Sequence, residues 1–476
     1  MNLKRLTENE ESIDAVITWV DGDDASFREQ LDRFMPWMPW LRPGRNRYRD
    51  NGELRFSLRS IYFNMPWLRR INIVTNGQVP PWLDRNHPKI RLIAHGDYFA
   101  SPDHLPTFSS LAIEANLPWI SRAGVARRFL LFNDDTFVAR PVPRDYFVTD
   151  NGAQRFRCLP EALPRPKLVA DSHYHLLVFN GALLSRTFGR KPWSYPPHMP
   201  VIFDQDDLAW LMGKFGFWLR RTSRHRFRHR SDAFLALLYV HALTERDAGR
   251  MDGARRLPLA PGEISYLPFT ERTDMVADLV RWLIAPPTFF CVNDEIDDDT
   301  VALAHAADLN MALAGIFPTP TPFELDMRDE GEHRCQDYLC LFGPGCRLLP
   351  GASIYSPRRR FRLTFRTADR RIMLQANESA DATPQPAAAA HEWRTLASFD
   401  RLFAVHGMAG AEASSLTMKG DGNLELGGDG ILLWSSATAG NAGAYMAVQD
   451  DGRIILYRRN GDVLLSGEKA AAADPT

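Results

Sequence analysis

Neither sign of charge prevails in this 476-residue chain. Lys and Arg number 57 against 58 Asp and Glu, a formal net charge of -1. That balance argues against a protein that grips nucleic acid through its overall charge, and leaves only local clusters to consider. Cysteine is scarce: five in all, an odd number, so a disulfide framework is not expected and a reducing compartment is. No apolar run approaches the roughly 20 residues needed to cross a bilayer. The longest, near Phe234–His241, reads as a buried helix. The polar start Met1–Glu11 lacks the apolar stretch of a secretory signal. The expectation is a cytoplasmic protein, at most peripheral at a membrane. A Gly-rich phosphate loop, a nucleophile elbow and an HExxH motif are also missing.

What is present is ordinary globular composition, 45% hydrophobic and 24% charged. The chain exceeds the roughly 250–300 residues that one core usually serves, so two domains are expected. From Ile13 to about Asp145, short apolar runs alternate with amphipathic stretches. Asp14–Val20, Arg70–Val74, Ile90–Ala94 and Phe129–Phe132 read as strands, and Glu53–Asn64 as a helix. Such alternation predicts an α/β sheet with ligands at the strand C-terminal ends. Those ends carry Asp21, Asn76 and Asp134 with Asp135. Helices are predicted at Asp204–Phe215, Asp232–Thr244 and Val301–Ala314, the last running into the proline-rich Phe317–Pro322, a stiff linker. After Gly345, Arg362–Leu374, Leu416–Trp434 and Tyr445–Leu465 look like three copies of one hairpin unit in an all-β module. The Ala/Pro/Gln-rich Ala380–Ala390 reads as a disordered insert.

Several clusters could carry chemistry, each with a plainer reading beside it. Asp134-Asp135 suits a hard divalent cation, though Asn and Asp also make ordinary turns. Asp294 opens a run of five acidic residues in six positions, of which Asp297–Asp299 fit a helix N-terminus. Arg220–Arg230 holds six arginines and two histidines, either a solvated face or an anion site in which half the arginines turn inward. His198 sits in Pro196-Pro197-His198-Met199-Pro200, rigid enough to orient a general base, while a lone histidine is commonly structural. Asn51 or Asp50 would cap the helix whose Arg55 and Arg59 share a face, which otherwise is a capped helix with surface arginines. Cys335, Cys340 and Cys346 with His333 match no zinc spacing, so buried thiols are expected.

Four blocks resemble the Stealth family of sugar-phosphate transferases. They are Ile13–Gly22; Arg49–Arg55 continuing through Ile73–Gln78 and Leu105–Phe108 to Phe132–Asp135; His198–Pro200 with Thr222–His229; and Phe290–Asp294. The resemblance implies a Rossmann-like nucleotide-sugar transferase domain over residues 1–325. It also implies transfer of a hexose 1-phosphate from a nucleotide-diphosphate sugar, such as a UDP-sugar, to a glycan hydroxyl in capsule or exopolysaccharide synthesis. Carried over by position, His198 is the base, Arg228 the phosphoryl clamp, and Asp134, Asp135 and Asp294 the holders of Mg²⁺ or Mn²⁺. Asp21, Asn51, Arg55, Arg59, Asn76 and Arg226 would bind the donor. A metal-dependent glycosyltransferase releasing UDP, or a carbohydrate-binding protein with an inert α/β part, are the competing readings.

The C-terminal repeats are similar to bulb-type mannose-binding lectins, whose pattern is Gln-x-Asp-x-Asn-x-Val-x-Tyr. Residues 326–345 would be a linker, 346–468 a lectin-like β-prism domain, and 469–476 a disordered tail. Gln449, Asp451 and Tyr457 keep the pattern in one copy, where Arg453 replaces Asn, and Asp421 and Asn423 keep part of it in another. The broken pattern leaves open a different glycan, a protein contact or a structural appendage.

Overall fold

The structure, a computed structural model, describes residues 12–37, 42–167, 172–250, 253–270, 282, 285–325, 337–339, 341–356, 359–378, 393–403, 412–428, 430–459 and 461–467. His333, Cys335, Cys340, the insert Ala380–Ala390 and the expected tail lie outside these residues.

In chain order the first part contains β1 (Ile13–Thr18), α1 (Ala25–Phe34), α2 (Glu53–Asn64), β2 (Ile71–Thr75), β3 (Ile90–Ala94) and α3 (Ser110–Ala115). It continues with β4 (Arg128–Asn133), β5 (Thr136–Val138), β6 (Arg155–Cys158), α4 (Ser172–Phe188), β7 (Val201–Asp204), α5 (Gln205–Ser223) and α6 (Leu235–Arg246). Then come β8 (Arg255–Pro258), β9 (Ile264–Phe269), β10 (Phe289–Asp294) and α7 (Asp299–Ile316). A five-stranded sheet runs β3-β2-β1-β4-β7, parallel except for β7, which is antiparallel to β4. β1 and β2 are apolar almost throughout because both faces of the sheet are covered. The one charged residue in these two strands, Asp14, is wholly buried and satisfied by Arg69 at 2.6 and 2.8 Å and by the Ala126 amide at 2.8 Å.

Because β2 lies on one side of β1 and β4 on the other, the strand order changes direction between β1 and β4. A crevice belongs at that point, beyond the strand C-termini. Beside it, β5-β10-β9 forms a three-stranded sheet, with β10 antiparallel to β5 and parallel to β9. The Val292 amide donates to the Asp135 carbonyl at 3.1 Å, which ties this second sheet to the end of β4.

The later residues form three antiparallel sheets. One holds Ser353–Tyr355, Phe361–Phe365, Ile372–Asn377 and Trp393–Ser398, with Tyr338–Leu339 added in parallel. The second joins Arg347–Leu348, Ser415–Met418, Leu424–Gly428 and Ile431–Ser435, and the third Leu341–Phe342, Tyr445–Val448, Ile454–Tyr457 and Val463–Ser466. The three hairpin units expected from sequence thus appear once in each sheet. The chain is mixed α/β with many sheets.

This β part does not hang from a free tether. Its inner residues Phe342, Cys346, Leu348 and Ile354 share one apolar cluster with Leu309, Leu313 and Phe317 of α7 and its end. Arg359 reaches Asp308 of α7 at 2.6 Å. The Phe317–Pro322 stretch leads directly to Phe323, which is fully buried against Tyr62.

Candidate active site

The crevice is built from loops that leave parallel strands. After β1 the chain turns at Asp21-Gly22, where Gly22 donates its amide to the Tyr48 carbonyl at 2.7 Å. A Cβ at Gly22 would lie 2.2 Å from that oxygen, so only glycine allows the approach. Gln78, after β2, bridges to the same turn: its side chain accepts from the Asp21 amide at 2.9 Å and donates to the Asp21 carbonyl at 2.7 Å. Asn76 caps its own turn, accepting weakly from the Gln78 amide at 3.4 Å. Two strand ends are thereby clamped side by side.

Helix α2 starts differently from the expectation. Its N-cap is Gly52, with φ of 87°, a left-handed conformation that favours glycine. The Asn51 side chain is not the cap. Instead Glu53 turns back, accepting from the Asn51 amide at 2.7 Å and the Asn51 side chain at 2.9 Å. Asn51 also donates to Asp294 at 3.0 Å, so α2 and the end of β10 are joined through it. Asp294 is further held by Arg49 at 2.5 Å and by the Ile296 amide at 2.9 Å. Both of its oxygens are engaged, and its carboxylate anchors the α2 entry loop.

Asp134 and Asp135 lie between these groups, in contact with solvent yet set deep among protein atoms. Desolvation first, then the neighbouring Asp135, Glu53 and Asp50 carboxylates, push the Asp134 acid well above its usual range. Desolvation raises Asp135 to about 6, against hydrogen bonds from Cys291 and Thr136 and the Arg228 charge. Glu53 is raised to about 8 by burial and by Asp50. Asp50, itself raised by burial, in turn senses Asp21. The result is a line of carboxylates from Asp21 through Asp50 and Glu53 to Asp134 and Asp135. Carboxylate oxygens are the ligands a hard divalent cation takes, but among the described residues these do not close to ligand spacing, and Glu53 spends both oxygens on Asn51.

The opposite wall comes from the loop after α5. That helix runs to Ser223, well past the expected end at Phe215, because Leu219 and Thr222 keep its inner face buried. Arg220 and Arg221 are therefore helical. Phe227 stacks on Phe108 at 5.2 Å and Arg226 donates to the Pro106 carbonyl at 2.6 Å while lying over the Phe34 ring. Arg226 thus braces the loop. The Arg228 side chain is exposed, donates to Ser110 at 2.8 Å, and has Arg47, Glu114, Tyr48 and Tyr195 as its charged or ionisable neighbours. Desolvation and then the Arg47 charge pull its pKa down. His198 lies beside Tyr266, with ring centroids 4.9 Å apart, and beside Tyr195 at 6.0 Å. Burial first, then His173 and Arg228, depress its pKa, which keeps the imidazole neutral and able to accept a proton.

Arg228 is the common neighbour: His198, Asp135, Glu114 and Tyr195 all feel its charge. Residues far apart in sequence thus share one charged neighbour. Glu114 and Glu53 were not singled out from sequence, and Asp50 only as a possible helix cap. Glu114 stands on an amphipathic turn like any surface acid, yet it is 8% exposed, raised to about 7 by burial, and leaves Oε2 without a partner among the described residues. Only neighbouring chain segments could reveal that.

Other candidates fall elsewhere. Arg59 is spent on Glu324, at 2.9 and 2.7 Å, and on the Phe317 carbonyl at 2.8 Å; it secures the Phe317–Glu324 segment. Arg55 lies over the Trp82 ring, 3.8 Å from Glu324. Among the described residues, the compact group with metal-ligand geometry is His225, His229 and Asp232, where Asp232 binds His225 at 2.5 Å. Asp134, Asp135 and Asp294 do not form such a group. In the β part, Arg453 turns onto Asp451 at 2.7 Å, Gln449 donates to the Tyr457 hydroxyl, and Asp421 accepts from the Asn423 amide. Asn423 is occupied by Glu425, Ser435 and Ser436. Cys346 is buried, with Sγ 3.8 Å from the Gly315 carbonyl.

Comparison with known proteins bears on these loops. Residues 11–36 match Stealth protein CR1, conserved region 1, and residues 47–156 match Stealth protein CR2, conserved region 2. An exopolysaccharide phosphotransferase of Streptomyces coelicolor is 31% identical over 320 residues, 66% of this chain and 57% of that protein. One from Nocardia farcinica is 32% identical over 324 residues, 66% and 61% of the two chains. The exopolysaccharide phosphotransferase CpsY of Mycobacterium tuberculosis is 30% identical over 322 residues, 66% and 58%. The chain therefore spans little more than half the length of these curated relatives. Among solved structures, the Japanese Marasmius oreades lectin is 21% identical, covering 28% of this chain and 93% of the lectin, with a TM-score of 0.22. A monomeric mannose-binding lectin from Gastrodia elata is 17% identical, covering 28% and 99%, with a TM-score of 0.20.

Proposed function

The chain belongs to the Stealth family, and on that premise we propose that it transfers a hexose 1-phosphate from a UDP-sugar to a glycan hydroxyl, in capsule or exopolysaccharide assembly. The observation that carries this reading is the convergence on Arg228 of a base-competent His198 and the acidic Asp135. Phosphoryl transfer needs positioning, positive charge and a proton acceptor, and little else from the protein. His198 accepts the proton of the acceptor hydroxyl as its oxygen bonds to the phosphorus nearest the sugar. The bond from that phosphorus to the bridging oxygen breaks, and the electron pair leaves with UMP. Arg228 faces the charge that builds on the transferring phosphoryl oxygens. Asp21, Asn76 and Gln78 stand where the crevice receives the nucleotide. Asp134 and Asp135 would hold Mg²⁺ or Mn²⁺, which would neutralise diphosphate charge when bound. Asp294, locked by Arg49, contributes by fixing the α2 entry loop beside them.

We read the parallel sheet as Rossmann-like and the three C-terminal sheets as a lectin-like β-prism that would hold glycan near the crevice. The test is incubation with UDP-sugars, Mg²⁺ and glycan acceptors, followed by ³¹P NMR. A new phosphodiester resonance together with UMP is expected. Release of UDP instead would mean attack at the sugar carbon and would replace this reading with an ordinary glycosyltransferase.

A further inference from the structure

The same parallel sheet has a second opening at its other end. A cavity of about 370 Å³ lies where β2 and β3 begin, walled by Arg70, Arg85, Asn86, His87, Arg91 and Leu92. Five-residue strands at about 3.3 Å per residue put this end roughly 15 Å from the carboxylates beyond the strand C-termini. It is therefore no part of the crevice described above.

Its charge is only weakly offset, by Asp14. No Asp or Glu stands among the lining residues, and among the described residues no carboxylate pairs with Arg70, Arg85 or Arg91. The nearest buried acid, Asp14, already has both oxygens committed to Arg69 and the Ala126 amide. Desolvation first and then the Arg70 charge pull the Arg91 pKa down, with Asp14 acting more weakly the other way. Cations crowded in this way with so little counter-charge invite an anion. The arrangement is also held in place. Arg91 donates to the Ala123 carbonyl at 2.7 Å, and its guanidinium fills the space where a side chain at Gly124 would stand, 2.6 Å from the Cβ position. Gly124, at φ of 76°, leaves that space open.

We infer that this cavity is a second site, which binds a phosphate-bearing saccharide by its phosphate on Arg70, Arg85 and Arg91 and by its hydroxyls on Asn86 and His87. The volume falls in the range of small-ligand sites, roughly 300–1,000 Å³, which exceeds what a phosphate alone requires. Guanidinium forks match phosphate oxygens, while an amide and an imidazole exchange hydrogen bonds with sugar hydroxyls. The choice of a saccharide rests on the proposed reaction, whose product carries a phosphodiester between sugars. Such a site would retain the anionic product strand away from the reacting groups.

Calorimetric titration of the full chain with glucose 1-phosphate tests this directly, without requiring turnover. Wild type and R228A should bind alike, R85E should bind roughly tenfold more weakly, and R70E/R85E should lose binding. Arg85 is exposed, so R85E keeps its fold. UMP release by R70E/R85E with a short soluble acceptor should stay near wild type. Binding that survives in R70E/R85E but vanishes in R228A would overturn the inference, as would absence of binding or an equal affinity for inorganic phosphate. Failure of the transferase reading would show separately, as no UMP from wild type.

Discussion

A buried carboxyl with a raised pKa makes a definite statement about stability. Glu53 titrates near 8 in the folded chain against 4.5 ordinarily, so the folded state keeps a proton that the unfolded chain has already released. Stability therefore falls as pH rises from about 4.5 to about 8. Urea midpoints taken in a chelator at pH 5 and pH 8 should show a larger loss for wild type than for E53Q, which cannot ionise. Equal losses would mean that Glu53 is not held as described. Asp135 acts in the same sense up to about pH 6, and a divalent cation would relieve it. Mg²⁺ or Mn²⁺ should accordingly raise the melting temperature of wild type at pH 8 and leave D135N unchanged. Under the proposed reaction, loss of His198 should be felt in turnover alone. H198A should lower kcat at least about 100-fold with little change in KM for the donor, read from UMP release.

At the scale of elements, the decisive joints are between loops. Gly22 lets the β1–α1 turn lie on the 45–48 turn, where Tyr48 packs with Phe27 and Phe108. G22A must push these apart, and a loss of about 2 kcal/mol is expected from denaturant unfolding, together with a raised donor KM. Helix α2 was legible from its apolar spacing, with the same bounds, Glu53–Asn64. Its cap was not, because capping residues in sequence are ambiguous and Asp294 from β10 and Glu53 captured Asn51, leaving Gly52 at the N-cap. The end of α5 was misplaced for a similar reason. Its last turn carries Arg220 and Arg221, which read as surface loop until Leu219 and Thr222 are seen to be buried. In the third hairpin the sequence retained Gln449, Asp451 and Tyr457, but the replacement at Arg453 closes onto Asp451. The pattern is present and its acid is already paired.

For the whole molecule, a core shared between α7 and the C-terminal sheets couples the two parts. A single calorimetric transition is expected, and two well-separated ones would contradict the shared core. The alternation of strands and helices, the three hairpin repeats and the acidic strand ends are all written into local sequence. These depend on period, turn residues and local propensity, which are properties of neighbouring residues. The sequence also supplied His198, Arg228 and Asp135 as candidates, through resemblance. The tertiary structure alone decided which charges are free. Arg59 and Asp294 look as available in sequence as Arg228 and Asp135, yet Arg59 is locked to Glu324, 265 residues away, and Asp294 to Arg49, 245 away. Glu114, Asp50 and Glu53 gain their character from burial by distant segments. Whether a charged group binds a ligand or its own chain depends on which opposite charge folding brings beside it, and no local pattern encodes that.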